Sequence, residues 1–197
     1  MTNRSAATTR RTLHLLAAAA LVTALSALPA AAQTPGARAQ SAPQTAKAVA
    51  DELLRQFEAS MSKFIALANA MPAEKYTWSP GEGVMEVGHV FMHVAHYNYA
   101  YPDGSMGVAA PAGLDMDAME AVRAKADVVR ALEQSRSHVL DAVRAMTAAE
   151  LAGPTQLYGR DIERWAVLVQ LVAHMNEHLG QSIAYARMND IVPPWSR

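Results

Sequence analysis

Five histidines crowd into two short windows of a 197-residue chain: His89, His93 and His96 in one, His174 and His178 in the other. The chain has no cysteine, which excludes a thiol nucleophile, a disulfide framework, Cys-ligated zinc and iron–sulfur clusters and leaves imidazoles, carboxylates and hydroxyls for chemistry. At roughly 100° per residue, His89 and His96 fall within about 60° of His93 on one helical face. His174 and His178 are four residues apart, so their rings are neighbours on successive turns. That is a separation at which two imidazoles bind one ion. A single helical histidine is ordinarily a core or surface residue, and His138 is read that way. Two helices that each present a pair or triple beside an apolar stripe are different, because buried imidazoles need partners and a shared ion supplies them.

The string His174-Met175-Asn176-Glu177-His178 also has the HxxEH spacing of one class of zinc proteases. That class takes a carboxylate ligand well downstream, and only Asp190 is acidic in the 19 residues after His178. The third ligand must therefore come from upstream, where the first histidine window lies. Glu177 projects near the ligand face and is a candidate general base or ligand-orienting carboxylate, with a solvated helix glutamate as the alternative. Glu86, seven residues before His93, returns to the ligand face and is a candidate to support a ligand. Gln181 lies on the His174 side as a candidate pocket residue. Gly180 is read as permitting close helix packing.

Four amphipathic helices must position these groups. The first spans about 46–71, with Val49, Leu53, Phe57, Met61, Phe64, Ile65 and Ala68 at three- and four-residue spacing, and Pro72 stops it. The connection 72–83 carries Tyr76 and Trp78, expected to cover one end of the core. The second helix spans about 85–99. The long loop after it, punctuated by Pro102, Gly104, Gly107, Pro111 and Gly113, is of the kind that often forms a lid or binding wall. The third spans about 125–146, with Arg136 at the boundary of an inner face of Val129, Leu132, Val139, Leu140 and Val143. Thr147-Ala148-Ala149-Glu150 has capping-box spacing and opens a short helical turn. The fourth spans about 162–188, its stripe running Trp165, Leu168, Val172, Met175, Leu179, Ile183 and Ala186. No stretch alternates like a strand. Four such stripes bury against one another in an all-α four-helix bundle.

The segment before the bundle reads as an address. Arg4, Arg10 and Arg11 precede an apolar run from Leu15 to Leu28 and the small residues Ala30-Ala31-Ala32, the order of a secretory signal peptide. The run is short for a membrane span of about 20 residues. Residues 1–32 are the expected cleavable signal peptide, and 33–45, rich in Gln, Pro, Ala and Gly, a flexible leader. Thr9-Arg10-Arg11-Thr12-Leu13 resembles a twin-arginine export signal, so a Sec or a twin-arginine route would carry the chain to the periplasm. Cleavage removes three arginines and no acid, making a chain of net charge −1 more acidic by three. No basic footprint for nucleic acid is present, and no membrane attachment is expected after cleavage.

Three segments, in order, then carry a family resemblance: Met71-Pro72-Ala73-Glu74-Lys75-Tyr76-Thr77-Trp78-Ser79-Pro80, Glu86-Val87-Gly88-His89-Val90-Phe91-Met92-His93-Val94-Ala95, and His174-Met175-Asn176-Glu177-His178-Leu179-Gly180-Gln181. With these the sequence resembles the DinB-like superfamily, which includes YfiT-type metal-dependent hydrolases and thiol transferases. The resemblance covers residues 46–197 and implies a DinB/YfiT-like four-helix bundle holding one divalent transition metal through His93, His174 and His178. His89 stands where relatives often carry other residues, so it either adds a ligand or only neighbours the ligands; His96 is left between the same alternatives. Three neutral imidazoles with an open position suit a catalytic ion, which polarises a substrate or acidifies bound water. Zinc, nickel and iron all accept imidazole. The expected function is that of an exported metal-dependent hydrolase or thiol/nucleophile transferase acting on a small molecule. The alternative is a non-catalytic periplasmic metal-binding or stress-response protein. Related bundles pair into dimers, and the apolar tail Ile191-Val192-Pro193-Pro194-Trp195 either serves a homodimer or folds over its own bundle.

Overall fold

Apolar residues spaced by three and four turn one face of a helix inward, and the bundle is built from four long helices that do this. The computed structural model describes residues 35–196; the expected signal peptide, residues 1–32, lies outside them. In chain order the helices are α1 (Pro35–Ala70), α2 (Val87–Tyr101), the four-residue α3 (Met116–Met119), α4 (Lys125–Ala145), the four-residue α5 (Ala148–Leu151) and α6 (Arg164–Met188). α1 packs beside α4 and α6, and α2 beside the same two. α1 and α2 therefore face each other across the core, where Phe64 and Phe91 meet edge to face with ring centroids 5.3 Å apart.

The core fills with Phe57, Met61 and Phe64 from α1, Phe91 and Met92 from α2, Leu132 from α4, and Leu168 and Leu171 from α6, all buried. Each such side chain contributes about 1.5–3 kcal/mol on burial. One polar link crosses this apolar interior. Asn98 on α2 donates through Nδ2 to Ser135 Oγ on α4 at 3.0 Å, which satisfies a buried amide and fixes the register of the two helices.

Three expectations need correction. α1 starts at Pro35 instead of near Ala46, so the segment expected as a flexible leader is helical from that residue onward. Its inner face at this end runs through Ala46, Ala50 and Leu54, while Val49 and Leu53 are only half-buried. The small alanines allow close approach, a contact that hydrophobicity alone assigns to the larger neighbours.

The third correction is a strand pair. Pro154–Leu157 (β1) pairs antiparallel with Arg160–Glu163 (β2), Thr155 opposite Ile162 and Leu157 opposite Arg160. Four-residue strands are too short to show a period of two. The readable signal is the two-residue turn Tyr158-Gly159, where both residues have positive φ, 51° and 73°, as a type I′ hairpin turn requires. Thr155 Oγ1 donates to Ser105 O at 2.6 Å and Leu157 is buried, so the hairpin is fastened to the helical segment Pro102–Met106 that follows α2.

Other expectations hold. Thr147 and Glu150 form the capping box that opens α5. Tyr76 is buried, its hydroxyl donating to Ala68 O at 2.7 Å, and Trp78 meets Tyr185 of α6 edge-on at 5.5 Å, so both cover the core as expected. Arg136 is half-buried at the edge of its face. The tail folds over its own bundle: Pro194–Ser196 turns against α1, and Ile191 packs on the core. Among the described residues no helix is long and apolar enough to cross a membrane.

Candidate metal centre

α2 and α6 are neighbours, and each turns one histidine face toward the other. His93 from the middle of α2 meets His174 and His178 from the middle of α6, with ring centroids at 5.1 and 4.9 Å; His174 and His178 lie 4.6 Å apart. One ring nitrogen from each of the three lies within 4.8 Å of the other two. Zinc–imidazole bonds of 2.0–2.1 Å span at most about 4 Å from ligand to ligand, so a small contraction brings all three onto one ion.

Hydrogen bonds on the far sides of the rings set the chemistry of the near sides. His93 Nδ1 lies 2.9 Å from Glu120 Oε1, and His178 Nδ1 lies 2.8 Å from Gln181 Oε1. A carboxylate oxygen and an amide oxygen only accept, so each Nδ1 carries the proton and each Nε2 keeps its lone pair for the cluster. Gln181 is itself held, its Nε2 donating to Tyr185 OH at 2.8 Å. This donor set fits a divalent transition metal: three half-buried imidazoles, two of them oriented from behind.

Burial favours neutral rings as well. It pushes the pKa of His174 down to about 4, and the neighbouring His178 and His93 push the same way. Burial also lowers the pKa of His93, with Glu120 pulling in the opposite direction. Glu120 is raised by its partial burial, yet hydrogen bonds from His89 and His93 hold it below the ordinary carboxylate value. The site therefore pairs an ionised Glu120 carboxylate with His93 and His174 rings that burial keeps proton-poor.

Glu120 is the residue that spacing does not reveal. It follows α3, in the long connection between α2 and α4, and reaches two α2 histidines at once: His89 Nε2 at 2.9 Å as well as His93. The loop expected as a lid or wall thus supplies a carboxylate. His89 shares Glu120 with His93 and stands perpendicular to the His93 ring, with centroids 6.4 Å apart. His96 turns away, its Nδ1 3.0 Å from the Met116 carbonyl. Neither joins the three converging rings.

Glu86 does not support a histidine directly. It pairs with Arg123, whose guanidinium also donates to the Glu120 carbonyl, so Glu86 acts on the loop that carries Glu120. Glu177 stands on the exposed face of α6, and among the described residues no hydrogen bond joins it to the cluster. Gly180 is exposed, and a Cβ there would meet nothing within 4 Å; the close-packing expectation for it is corrected. A glycine on α2 that does pack closely is Gly88, where a Cβ would lie 2.9 Å from Arg123 Cδ and 3.0 Å from Tyr76 O. His138, on α4, does not join the centre; its ring is tilted against Tyr99 at 4.9 Å.

The rest of the wall is aromatic. Tyr97 lies 4.7 Å from His93 and 4.6 Å from His174, and Tyr101 stands perpendicular to His174 at 5.8 Å. Among the described residues no fourth histidine or carboxylate completes the cluster.

The DinB superfamily model matches residues 56–182, a segment that includes all three converging histidines. A DinB-like protein from Bacillus cereus has a similar solved structure, with a TM-score of 0.65 at 15% identity over 73% of this chain and 95% of that one. At that identity the likeness speaks for the fold. A DinB-like protein from Bacillus subtilis also matches at 15% identity, with a TM-score of 0.46 over 72% of this chain and 94% of that one. No curated protein sequence matches the chain. On the span of the family match, the chain belongs to the DinB superfamily.

Proposed function

We propose that this protein is an exported, metal-dependent enzyme acting on a small molecule, by hydrolysis or by transfer of a thiol or other nucleophile. The observation that carries the reading is a three-imidazole cluster in which His93 and His178 are oriented from behind and whose remaining side is lined by tyrosines instead of a fourth ligand. Closed four-ligand sets serve structure, whereas three protein ligands with one open position serve catalysis. His93, His174 and His178 would hold the ion, and the ion would supply Lewis acidity to a substrate oxygen or sulfur. Glu120 and Gln181 keep the rings in place, while Tyr97 and Tyr101 form an apolar, uncharged wall for the organic part of the substrate. A periplasmic location fits the signal-like N-terminus. It favours hydrolysis, since low-molecular-weight thiols are mainly cytoplasmic.

One observation favours a second reading, in which the site only holds an ion: the carboxylate beside the cluster is already committed to His89 and His93. Turnover separates the two. The mature protein loaded with zinc, nickel or iron is tested on a panel of esters, amides and thiol-conjugation acceptors beside its metal-free form. Metal-dependent turnover that is lost in His174→Ala establishes the enzyme; stoichiometric metal without turnover across the panel assigns the holding role.

A further inference from the structure

We infer that Tyr158, at the tip of the β1–β2 hairpin, is a specificity-determining hydrogen-bond donor to the substrate, addressing a carbonyl or carboxylate oxygen on a molecule seated over the open side of the histidine cluster. The inference rests on the metal-centre reading above and names the substrate class for it. Tyr158 and Tyr101 share a hydroxyl–hydroxyl hydrogen bond of 2.7 Å, and the Tyr101 ring stands perpendicular to His174 with centroids 5.8 Å apart. The hairpin tip is thereby tied to the wall of the site.

Counting donors gives the bond a direction. Gln170 Nε2, which can only donate, approaches Tyr101 OH at 3.5 Å. Tyr101 is buried, so its own proton needs an acceptor, and among the described residues the Tyr158 oxygen is the acceptor within reach. The chain of donors therefore runs from Gln170 to Tyr101 to Tyr158, and it ends with the Tyr158 proton free. That last hydroxyl belongs to a residue that is 65% exposed, where a ligand can meet it.

The type I′ turn requires a positive φ at this position but does not require a tyrosine to fill it. Tyr158 has a φ of 51°, a left-handed conformation that asparagine, aspartate or glycine adopts readily and a bulky aromatic residue seldom does. Strain of this kind persists where the surroundings enforce it and collects at ligand-contacting positions. The donor meets no lysine or arginine partner in this chain of hydrogen bonds, so the preferred acceptor is a single oxygen on a largely apolar body, with Tyr97 and Tyr101 packing against that body.

The test uses cobalt(II)-loaded protein, whose visible absorption reports ligand binding, with benzohydroxamate as an aromatic oxygen-bearing probe and imidazole as a probe with no oxygen acceptor. Tyr158→Phe is expected to weaken benzohydroxamate by about five- to tenfold, the loss expected for one hydrogen bond, and to leave imidazole unchanged. Tyr101→Phe has the same effect, and the double variant loses little more, because the two hydroxyls act as one unit. Tyr158→Asn suits the backbone better, so it should raise the melting temperature while still weakening benzohydroxamate, an opposition that a purely structural tyrosine would not produce. Parent-like benzohydroxamate affinity in Tyr158→Phe, or an equal loss for imidazole, overturns the inference while the metal centre stands. Failure of the parent protein to take up cobalt overturns the metal reading, and this inference with it.

Discussion

His93, His174 and His178 project from the middles of two long helices, while Glu120 sits in a connection and Tyr158 at a hairpin tip. The helix-borne groups owe their positions to core packing: Met92 and Met175, one residue from His93 and His174, are buried, so the histidines cannot move without disturbing the bundle. The connection-borne groups depend on polar ties. Glu120 is held through Arg123 and Glu86, and the hairpin through Thr155 on Ser105 O. The difference teaches a division of labour in which packed helices fix where an ion sits and the connections tune how tightly it is held and what lies beside it.

The largest expected effect breaks the helix-borne half. His93→Ala or His174→Ala should reduce metal content after purification by about tenfold or more, since removing a ligand removes much of the binding free energy. Elemental analysis beside circular dichroism checks this, and the helical signal should stay near that of the parent. Unchanged occupancy in both variants would falsify the three-histidine site.

Glu120→Gln tests the connection-borne half. It keeps the shape and removes the charge that orients His93, and losses of about 10–100-fold in metal affinity are typical for such supporting carboxylates. A competition titration with a chromophoric chelator measures it. Glu177→Gln, on the exposed face of α6, is the matched control and should change affinity little. Equal losses in the two variants would erase the distinction between Glu120 and an ordinary surface acid.

Acidification sharpens the comparison next. The unfolded chain protonates its histidines near pH 6.5, whereas folded His174 resists protonation down to about 4. Between those values the unfolded state binds the extra proton, so the metal-free protein is most stable above about pH 6.5 and loses stability as pH falls toward 4. Glu120, held low in the folded state, adds a loss in the same direction at the acid end. The expected decline, after screening by water, is about 1–2 kcal/mol, read from denaturant unfolding at a series of pH values. Replacing His174 by Gln should flatten the histidine part of the slope; an unchanged slope would show that the ring titrates freely.

The same division explains what the sequence discloses. Helix periodicity and the i, i+4 spacing of His174 and His178 reveal three of the bundle's long helices nearly to their ends and the faces that meet at the centre. Periodicity is a property of packed helices, so it is silent on Glu120, which lies in an aperiodic connection 27 residues from His93 and reaches it only because α3 folds the chain back. The hairpin escapes notice because each strand has four residues; its readable trace is Gly159 after Tyr158. Glu86 illustrates the converse error. Helical register extrapolated back from α2 points it to the ligand face, but Glu86 precedes the helix with extended backbone, and Arg123 claims the carboxylate.

The smallest effect separates two glycines that the sequence presents alike, each close to a ligand histidine. Gly88, at the start of α2, lies where the Tyr76 turn and Arg123 press on the helix, and it donates its own N–H to Tyr76 O at 2.8 Å. An added methyl must push into a backbone carbonyl at 3.0 Å, so Gly88→Ala should destabilise by about 1–3 kcal/mol, the usual range for overpacking. Because the displaced neighbour is Arg123, metal affinity should weaken with it. Gly180 stands in open space in the interior of α6, two residues beyond His178, and Gly180→Ala should stabilise by about 0.5–1 kcal/mol through helix propensity alone, with metal affinity unchanged. Thermal unfolding and chelator competition on the two variants measure both quantities. If alanine at 180 alters metal affinity as much as alanine at 88 does, proximity along the helix would outweigh the polar ties, and the separation between helix-borne placement and connection-borne tuning would fail.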